Sequence, residues 1–253
     1  MPLYSTNFYK SIQPVARSSA HAILPIILDL LNVRSAVDVG CGTADWLAEL
    51  RQRGVERVVG IDGPYVLPEM LQIPRGCFIS ADLTEPIVLD DTFDLVLSLE
   101  VAEHLPERSS GTFVDSLVAL GPAILFSAAI PCQRGHRHLN EQWPEYWADL
   151  FEDHGYVTVD CVRPEVWRRP EVGWYYAQNS LLFVREAMLA DNPRLSKAWR
   201  NTRREQLALV HPGLWKLAAD PDAAPLDRLL SLLPRSALRA ITKRVQRIQE
   251  KTT

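Results

Sequence analysis

Ser35-Ala36-Val37-Asp38-Val39-Gly40-Cys41-Gly42-Thr43-Ala44-Asp45-Trp46 is the stretch that decides the fold. A short apolar strand ends in Asp-x-Gly-x-Gly and runs straight into the helical signal Trp46-Leu47-Ala48-Glu49-Leu50. Glycine has no Cβ, so the backbone there can turn sharply and lie against a ligand. A pyrophosphate cradle wants bare N–H donors at a helix N-terminus, whereas here the carboxylate of Asp38 stands just before the turn. The dinucleotide spacing G-x-G-x-x-G also fails, because Asp45 occupies the place of its third glycine. A nicotinamide-dependent dehydrogenase of similar fold would need that glycine. A carboxylate beside a glycine turn suits instead a cationic, hydroxyl-bearing ligand, and S-adenosylmethionine, with its ammonium, sulfonium and ribose, has that chemistry.

Outward from this turn, short apolar strands alternate with helices. A helix over 18–31, with Pro25 as a kink or restart, leads into the strand 36–39 and the helix 43–53. Strands follow at 58–61, 77–80, 93–99 and 123–128, with helices at 65–73, 107–120 and 144–154. The pattern predicts an α/β fold with a doubly wound, mostly parallel sheet. The last two strands, 156–162 and 177–185, show no clear helix between them and suggest an antiparallel hairpin at one edge. The domain reading is a body over 1–185 and a helical, basic C-terminal extension over 186–253.

The 253 residues can bury a sizeable core, and 47% hydrophobic with 23% charged residues is the balance of a soluble globular chain. No apolar run reaches a membrane span, and Met1-Pro2-Leu3-Tyr4-Ser5-Thr6 lacks a signal peptide's pattern. Four scattered cysteines without C-x-x-C fit free thiols in a reducing cytoplasm and argue against structural zinc. The net charge of −4 hides an asymmetry: residues 1–185 carry 14 Lys+Arg against 24 Asp+Glu, the remainder 13 against 7. An acidic body argues against nucleic acid as a partner.

Three acids fall where successive strands finish: Asp38, then Asp62 in Gly60-Ile61-Asp62-Gly63, then Asp82 in Ser80-Ala81-Asp82-Leu83. Ligands of open α/β sheets sit beyond such ends. A carboxylate after the second strand can accept ribose hydroxyls, and one after the third an adenine amine. With Phe93-Asp94-Leu95-Val96-Leu97-Ser98 in order behind them, the chain resembles class I S-adenosylmethionine-dependent methyltransferases over residues 22–185. The resemblance implies a seven-stranded sheet in the order 3-2-1-4-5-7-6. It also implies a cofactor site of Asp38, Gly40, Gly42, Asp62, Asp82, Leu83 and Ser98. One departure stands out: Ala44 takes the place of a third glycine common in that family.

The acceptor side follows the fourth strand in Leu99-Glu100-Val101-Ala102-Glu103-His104. On a helical turn Glu100, Glu103 and His104, at i, i+3 and i+4, would share a face. Two carboxylates and an imidazole suit Mg²⁺ or another hard or borderline divalent ion. The loop Gly135-His136-Arg137-His138-Leu139-Asn140-Glu141 offers further ligands, because His136 and His138 would point the same way if it were extended. The Glu-x-x-Glu-His run resembles that of ubiquinone-biosynthesis O-methyltransferases and small-RNA 2′-O-methyltransferases. That resemblance implies Glu100, Glu103 and His104 as metal ligands, with His136 or His138 joining them. A hydroxyl attacks poorly at neutral pH and needs a base, here His104 or His136, or a metal that stabilises the alkoxide.

The expected reaction is methylation of a hydroxyl on a small-molecule, phenolic or glycan acceptor. Methylation of nitrogen or carbon without metal is the alternative, and a non-catalytic cofactor-binding subunit is a reading of another class. Aromatic residues crowd the acceptor loops at Trp143, Trp147, Trp167, Trp174, Tyr175 and Tyr176, as platforms or as core. In the tail, Leu238, Ile241, Val245 and Ile248 at helical spacing among Arg and Lys predict a basic amphipathic helix. Docking on the body, pairing in a homodimer and peripheral contact with an anionic membrane are the three uses open to it.

Overall fold

The computed structural model describes residues 6–219. In chain order the elements are α1 (Thr6–Leu30), β1 (Ser35–Val39), α2 (Asp45–Gln52), β2 (Arg57–Asp62), β3 (Phe78–Ser80), β4 (Leu95–Leu99) and α3 (Ser110–Leu120). There follow β5 (Ala123–Ser127), α4 (Pro144–Glu152), β6 (Tyr156–Val159), α5 (Arg163–Val166), α6 (Trp174–Asn179), β7 (Leu181–Arg185), α7 (Met188–Asp191), α8 (Pro193–Asn201) and α9 (Pro212–Ala219). The strands form one sheet in the order β3-β2-β1-β4-β5-β7-β6. β3, β2, β1, β4 and β5 pair in parallel, and β7 runs antiparallel to both β5 and β6.

Both faces of this sheet are covered, which is why its central strands read as near-continuous apolar runs. Leu95, Leu97 and Leu99 of β4 pack on one side with Ile23, Leu24 and Ile27 of α1 and Leu47 and Leu50 of α2. Val96, between them, joins the opposite core with Phe113, Val114 and Leu117 of α3 and Phe151 of α4. That alternation is the period-2 geometry of a strand. Phe151 stacks on Phe183 of β7 with ring centroids 4.1 Å apart and anchors the antiparallel edge.

Three sequence expectations change in the structure. α1 does not restart at Pro25; it runs through both Pro14 and Pro25. Pro25 has no N–H for the carbonyl of His21, one turn earlier, and the guanidinium of Arg53 donates to that oxygen at 3.1 Å. The stretch 65–73 forms only a short 3-10 turn, Pro68–Met70, within its proline-rich surroundings. The last strand starts at Leu181 rather than at residue 177, because Trp174–Asn179 is helical and, with α5, separates the two edge strands. The strands still pair as an antiparallel edge.

The first compact unit runs Met1–His211. The segment after β7 is tied to the body up to that point: Asn192 Nδ2 donates to Leu30 O at 2.6 Å, and the buried Arg163 donates to Leu207 O at 2.7 Å. A body ending at residue 185 therefore stops too early. The second unit begins at Pro212 with α9. The basic amphipathic helix expected near 235–248 lies outside the described residues. Among the described residues no helix is long and apolar enough to cross a membrane.

The glycine turn explains the departure at Ala44. That residue holds φ 62°, ψ 34° as the N-cap of α2, in the left-handed region that a Cβ disfavours. Ala44→Gly should therefore raise stability by about 0.5–1 kcal/mol. A higher chemical-denaturation midpoint with unchanged slope is the expected result, and an unchanged or lower midpoint would contradict the strain.

Candidate functional site

The site grows from the C-terminal edge of β1. Gly40, at φ 87°, donates its N–H to Ile61 O at 2.8 Å and carries the chain across the end of β2. A Cβ at Gly40 would stand 2.3 Å from Val101 Cγ2, so the loop after β4 closes the turn on the other side. Gly42, at φ 52°, is covered by Tyr9 of α1, whose ring lies 3.3 Å from where a Cβ would be. A side chain would collide with Val101 at Gly40 and crowd Tyr9 at Gly42.

Asp45 at the start of α2 fastens the turn to α1. Its carboxylate accepts from Arg17 Nε at 2.5 Å, from Gln13 Nε2 at 3.3 Å and from Thr43 Oγ1. Arg17 continues to Gln72 Oε1 at 2.6 Å, and the Gln72 N–H returns to Thr43 O at 2.9 Å. Neither Tyr9 nor this clasp was singled out from the sequence, since helix residues far from the motif carry no local signal of it.

Asp38 lies inside β1, 2% exposed, between Gly60 and Leu97 of the neighbouring strands. Burial, followed by the charges of Asp62 and Asp45, raises its carboxyl well above the ordinary range. Among the described residues no cation pairs with it. Asp62 sits beside it, 4% exposed. Its oxygens accept from Gly42 N–H at 2.7 Å and Gly63 N–H at 2.6 Å, with a further bond from the Tyr65 hydroxyl. Burial still raises its pKa against those three donors.

Asp82 differs. It is exposed, and its Oδ1 caps its own turn by accepting from Thr84 N at 2.9 Å and Thr84 Oγ1 at 2.7 Å. Those bonds lower its pKa. Asp38 and Asp62 are thus brought together, whereas Asp82 stands at the surface beyond β3. Leu83 next to it is buried, as is Ser98 inside β4.

The segment after β4 is not the helical turn expected. Glu100 adopts φ 56° and Val101 φ −124°, ψ −49°, and only Ala102–His104 forms a 3-10 turn. The left-handed residue swings Glu100 away from Glu103 and His104. Its Oε2 accepts from Gln133 Nε2 at 2.8 Å and its Oε1 from Asn179 Nδ2 at 3.0 Å. Likewise Arg137, at φ 62°, breaks the alternation expected of His136 and His138. His136 is exposed, while His138 is part-buried and lies edge-on to His104 with centroids 5.0 Å apart.

Glu103, His104 and His138 do converge: potential ligand atoms from all three lie within 4.8 Å of one another. Glu103 is fully buried, and neither carboxylate oxygen has a hydrogen-bond partner of ordinary geometry. Burial and then the charge of Glu100 push its carboxyl well up. Burial, then the neighbouring His138, lowers His104 to about 4, so its ring is neutral at pH 7. His138 Nδ1 lies 2.8 Å from Glu141 Oε1, the arrangement that fixes a ligand histidine's ring. Glu141 also accepts from Cys132 N and Arg134 N and so holds the whole loop. Three of the five expected ligands therefore meet, with Glu100 and His136 outside the group.

A methyltransferase-domain family model matches residues 15–160. A ubiquinone biosynthesis O-methyltransferase of Hahella chejuensis (strain KCTC 2396) is 30% identical over 125 residues, which cover 44% of this chain and 51% of the relative. The chain thus spans about half the length of that curated relative. Among solved structures, human N-acetylserotonin methyltransferase in complex with S-adenosylmethionine aligns with a TM-score of 0.51 at 15% identity, over 70% of this chain and 55% of the other. Magnesium protoporphyrin IX methyltransferase from Synechocystis PCC 6803 with bound S-adenosylhomocysteine aligns with a TM-score of 0.50 at 19% identity, over 72% and 90%. At those identities the likeness is one of fold.

Asp38→Asn tests the buried charge. A carboxyl raised by folding costs stability above its unfolded pKa, and that cost is absent below it. The variant should gain about 1–3 kcal/mol in ligand-free stability at neutral pH, with the gain vanishing near pH 4. Urea melts at the two pH values read this out, and a destabilised variant at neutral pH would show that the charge is compensated.

Proposed function

This chain belongs to the class I S-adenosylmethionine-dependent methyltransferases, and from that premise we propose that it methylates a hydroxyl of a small-molecule or sugar acceptor with the help of a divalent ion. When bound, the cofactor would supply a sulfonium-bound methyl group to an in-line nucleophile, its sulfur leaving as the neutral thioether of S-adenosylhomocysteine. The residues present fit it: Gly40 and Gly42 leave room for close backbone approach, and Asp38 is a buried carboxylate without a counter-charge. Asp38 would receive the cofactor's positive amine and Asp62, through its remaining lone pair, a ribose hydroxyl. Tyr9 packs over the turn at Gly42.

The observation that carries the metal-assisted reading is Glu103, a buried carboxylate whose oxygens have no hydrogen-bond partner of ordinary geometry among the described residues, beside His104 and His138. The donor set of one carboxylate and two imidazoles suits Mn²⁺, Fe²⁺ or Mg²⁺ with water completing the shell. When bound, such an ion lowers the pKa of a coordinated hydroxyl. The environment of His104 favours a ligand over a general base: a pKa of about 4 leaves the ring neutral but weakly basic at pH 7. His136, exposed on its loop, is a second candidate to take a proton from the acceptor.

The test is transfer of labelled methyl from S-adenosylmethionine to a panel of sugar and phenolic hydroxyls. Transfer to oxygen that falls about 10–100-fold on chelation, and in Glu103→Ala, is expected, with S-adenosylhomocysteine affinity unchanged. Transfer indifferent to chelation, or delivered to nitrogen or carbon, would overturn the metal-assisted hydroxyl reading.

A further inference from the structure

Glu100 was expected to serve the metal, and the structure gives it other company. Three side chains behind it form a buried chain of amides, started by a backbone N–H. The His211 backbone N–H donates to Gln178 Oε1 at 2.8 Å. Gln178 Nε2 then donates to Gln133 Oε1 at 3.2 Å and to Asn179 Oδ1 at 2.9 Å. Gln133 and Asn179 in turn donate to the two oxygens of Glu100. Gln178, Gln133 and Asn179 are all less than 5% exposed.

The direction of this chain is fixed at its far end. A backbone N–H can only donate, so the Gln178 oxygen must face His211 and its NH₂ must face the other two amides. Those amides then have their oxygens occupied and must present N–H to Glu100. Both Glu100 oxygens are thereby made acceptors, which is the bonding pattern of an ionised carboxylate. The Ser127 hydroxyl donates to the same carboxylate, and these three donors oppose the burial that pushes its pKa up, leaving one acceptor position open. No Lys or Arg pairs with Glu100 among the described residues; the neutral side chains of Gln133, Asn179 and Ser127 hold it, with His138 the nearby group whose charge favours the anion. Glu100 is only part-buried, and Tyr175, near enough for Glu100 to raise its hydroxyl pKa, stands at its side.

We propose that Glu100 binds a positively charged amine on the acceptor, and that the relay from His211 through Gln178, Gln133 and Asn179 keeps it ionised and aimed for that purpose. This inference rests on the methyltransferase reading and narrows it: the acceptor carries an ammonium group as well as the atom that is methylated. Glu100 is then a substrate-binding residue, while Gln133, Gln178 and Asn179 are positioning residues. An ammonium supplies both the missing charge and an N–H donor for the open acceptor position, and an aromatic ring beside it adds a cation–π contact.

The experiment uses the full chain with ¹³C-labelled glutamate side chains, the Glu100 carboxyl signal being assigned by its loss in Glu100→Gln. Ethanolamine is titrated as the ammonium probe and ethylene glycol as its neutral counterpart. Both titrations are run on the free protein and with S-adenosylhomocysteine present. The expected result is a saturable shift of the Glu100 signal with ethanolamine, at least about tenfold tighter than with ethylene glycol. Gln178→Leu should weaken that response and raise the midpoint of the Glu100 titration, which a merely structural glutamine would leave alone. Equal responses to the two probes, no response to ethanolamine, or a Glu100 signal already protonated at pH 7 would overturn the proposal. Calorimetry with S-adenosylhomocysteine separates the two levels: cofactor binding without an ammonium response refutes the acceptor inference alone, and no cofactor binding refutes the reading beneath it.

Discussion

A carboxylate without a counter-charge sits inside the central strand of this sheet, and much of the surrounding architecture accommodates it. Asp38 is flanked by Asp62, so two acids share a space from which water is nearly excluded. Each is expensive alone. Asp62 is offset by the N–H groups of Gly42 and Gly63 and by Tyr65. Among the described residues Asp38 has no such relief, and the strands on either side hold it. Strain and uncompensated charge of this kind are tolerated where a ligand later supplies what is missing.

The same bargain recurs along the strand edge. After β4 the chain buries Glu103 without a hydrogen-bond partner of ordinary geometry among the described residues, and holds Glu100 by the neutral amides of Gln133 and Asn179. It bends through left-handed non-glycine residues at Glu100, Cys132, Arg134 and Arg137 to do so. Each such residue costs on the order of 1 kcal/mol or more. Glu141, by accepting from Cys132 and Arg134 and facing His138, is the side chain that makes the bent loop stable. The outcome is two separate acidic groups, one at the imidazoles and one at the amides, from residues only three apart.

Much of the fold was legible because the parallel strands are buried on both faces and punctuated by glycine and proline. The order of the sheet came from the resemblance that Asp38-Val39-Gly40-Cys41-Gly42, Asp62 and Asp82 carry. What the sequence hid was backbone handedness and partners remote in the chain. Glu100, Glu103 and His104 have the spacing of a helix face, and one left-handed residue cancels it. Alternation in 136–138 fails for the same reason at Arg137. Gln133, Gln178 and Asn179 are ordinary polar residues in the sequence, and only folding sets them behind Glu100. Ala44 could be read only as a departure, until its φ showed why glycine is favoured there.

The account stands on a berth for a cationic nucleoside at the glycine turn between Asp38 and Asp62. Backbone hydrogen exchange with and without S-adenosylhomocysteine measures that berth directly. Slower exchange confined mainly to the amides of residues 40–45 and 62–66 is the predicted result. Unchanged exchange there, or protection centred on another part of the molecule, would contradict it.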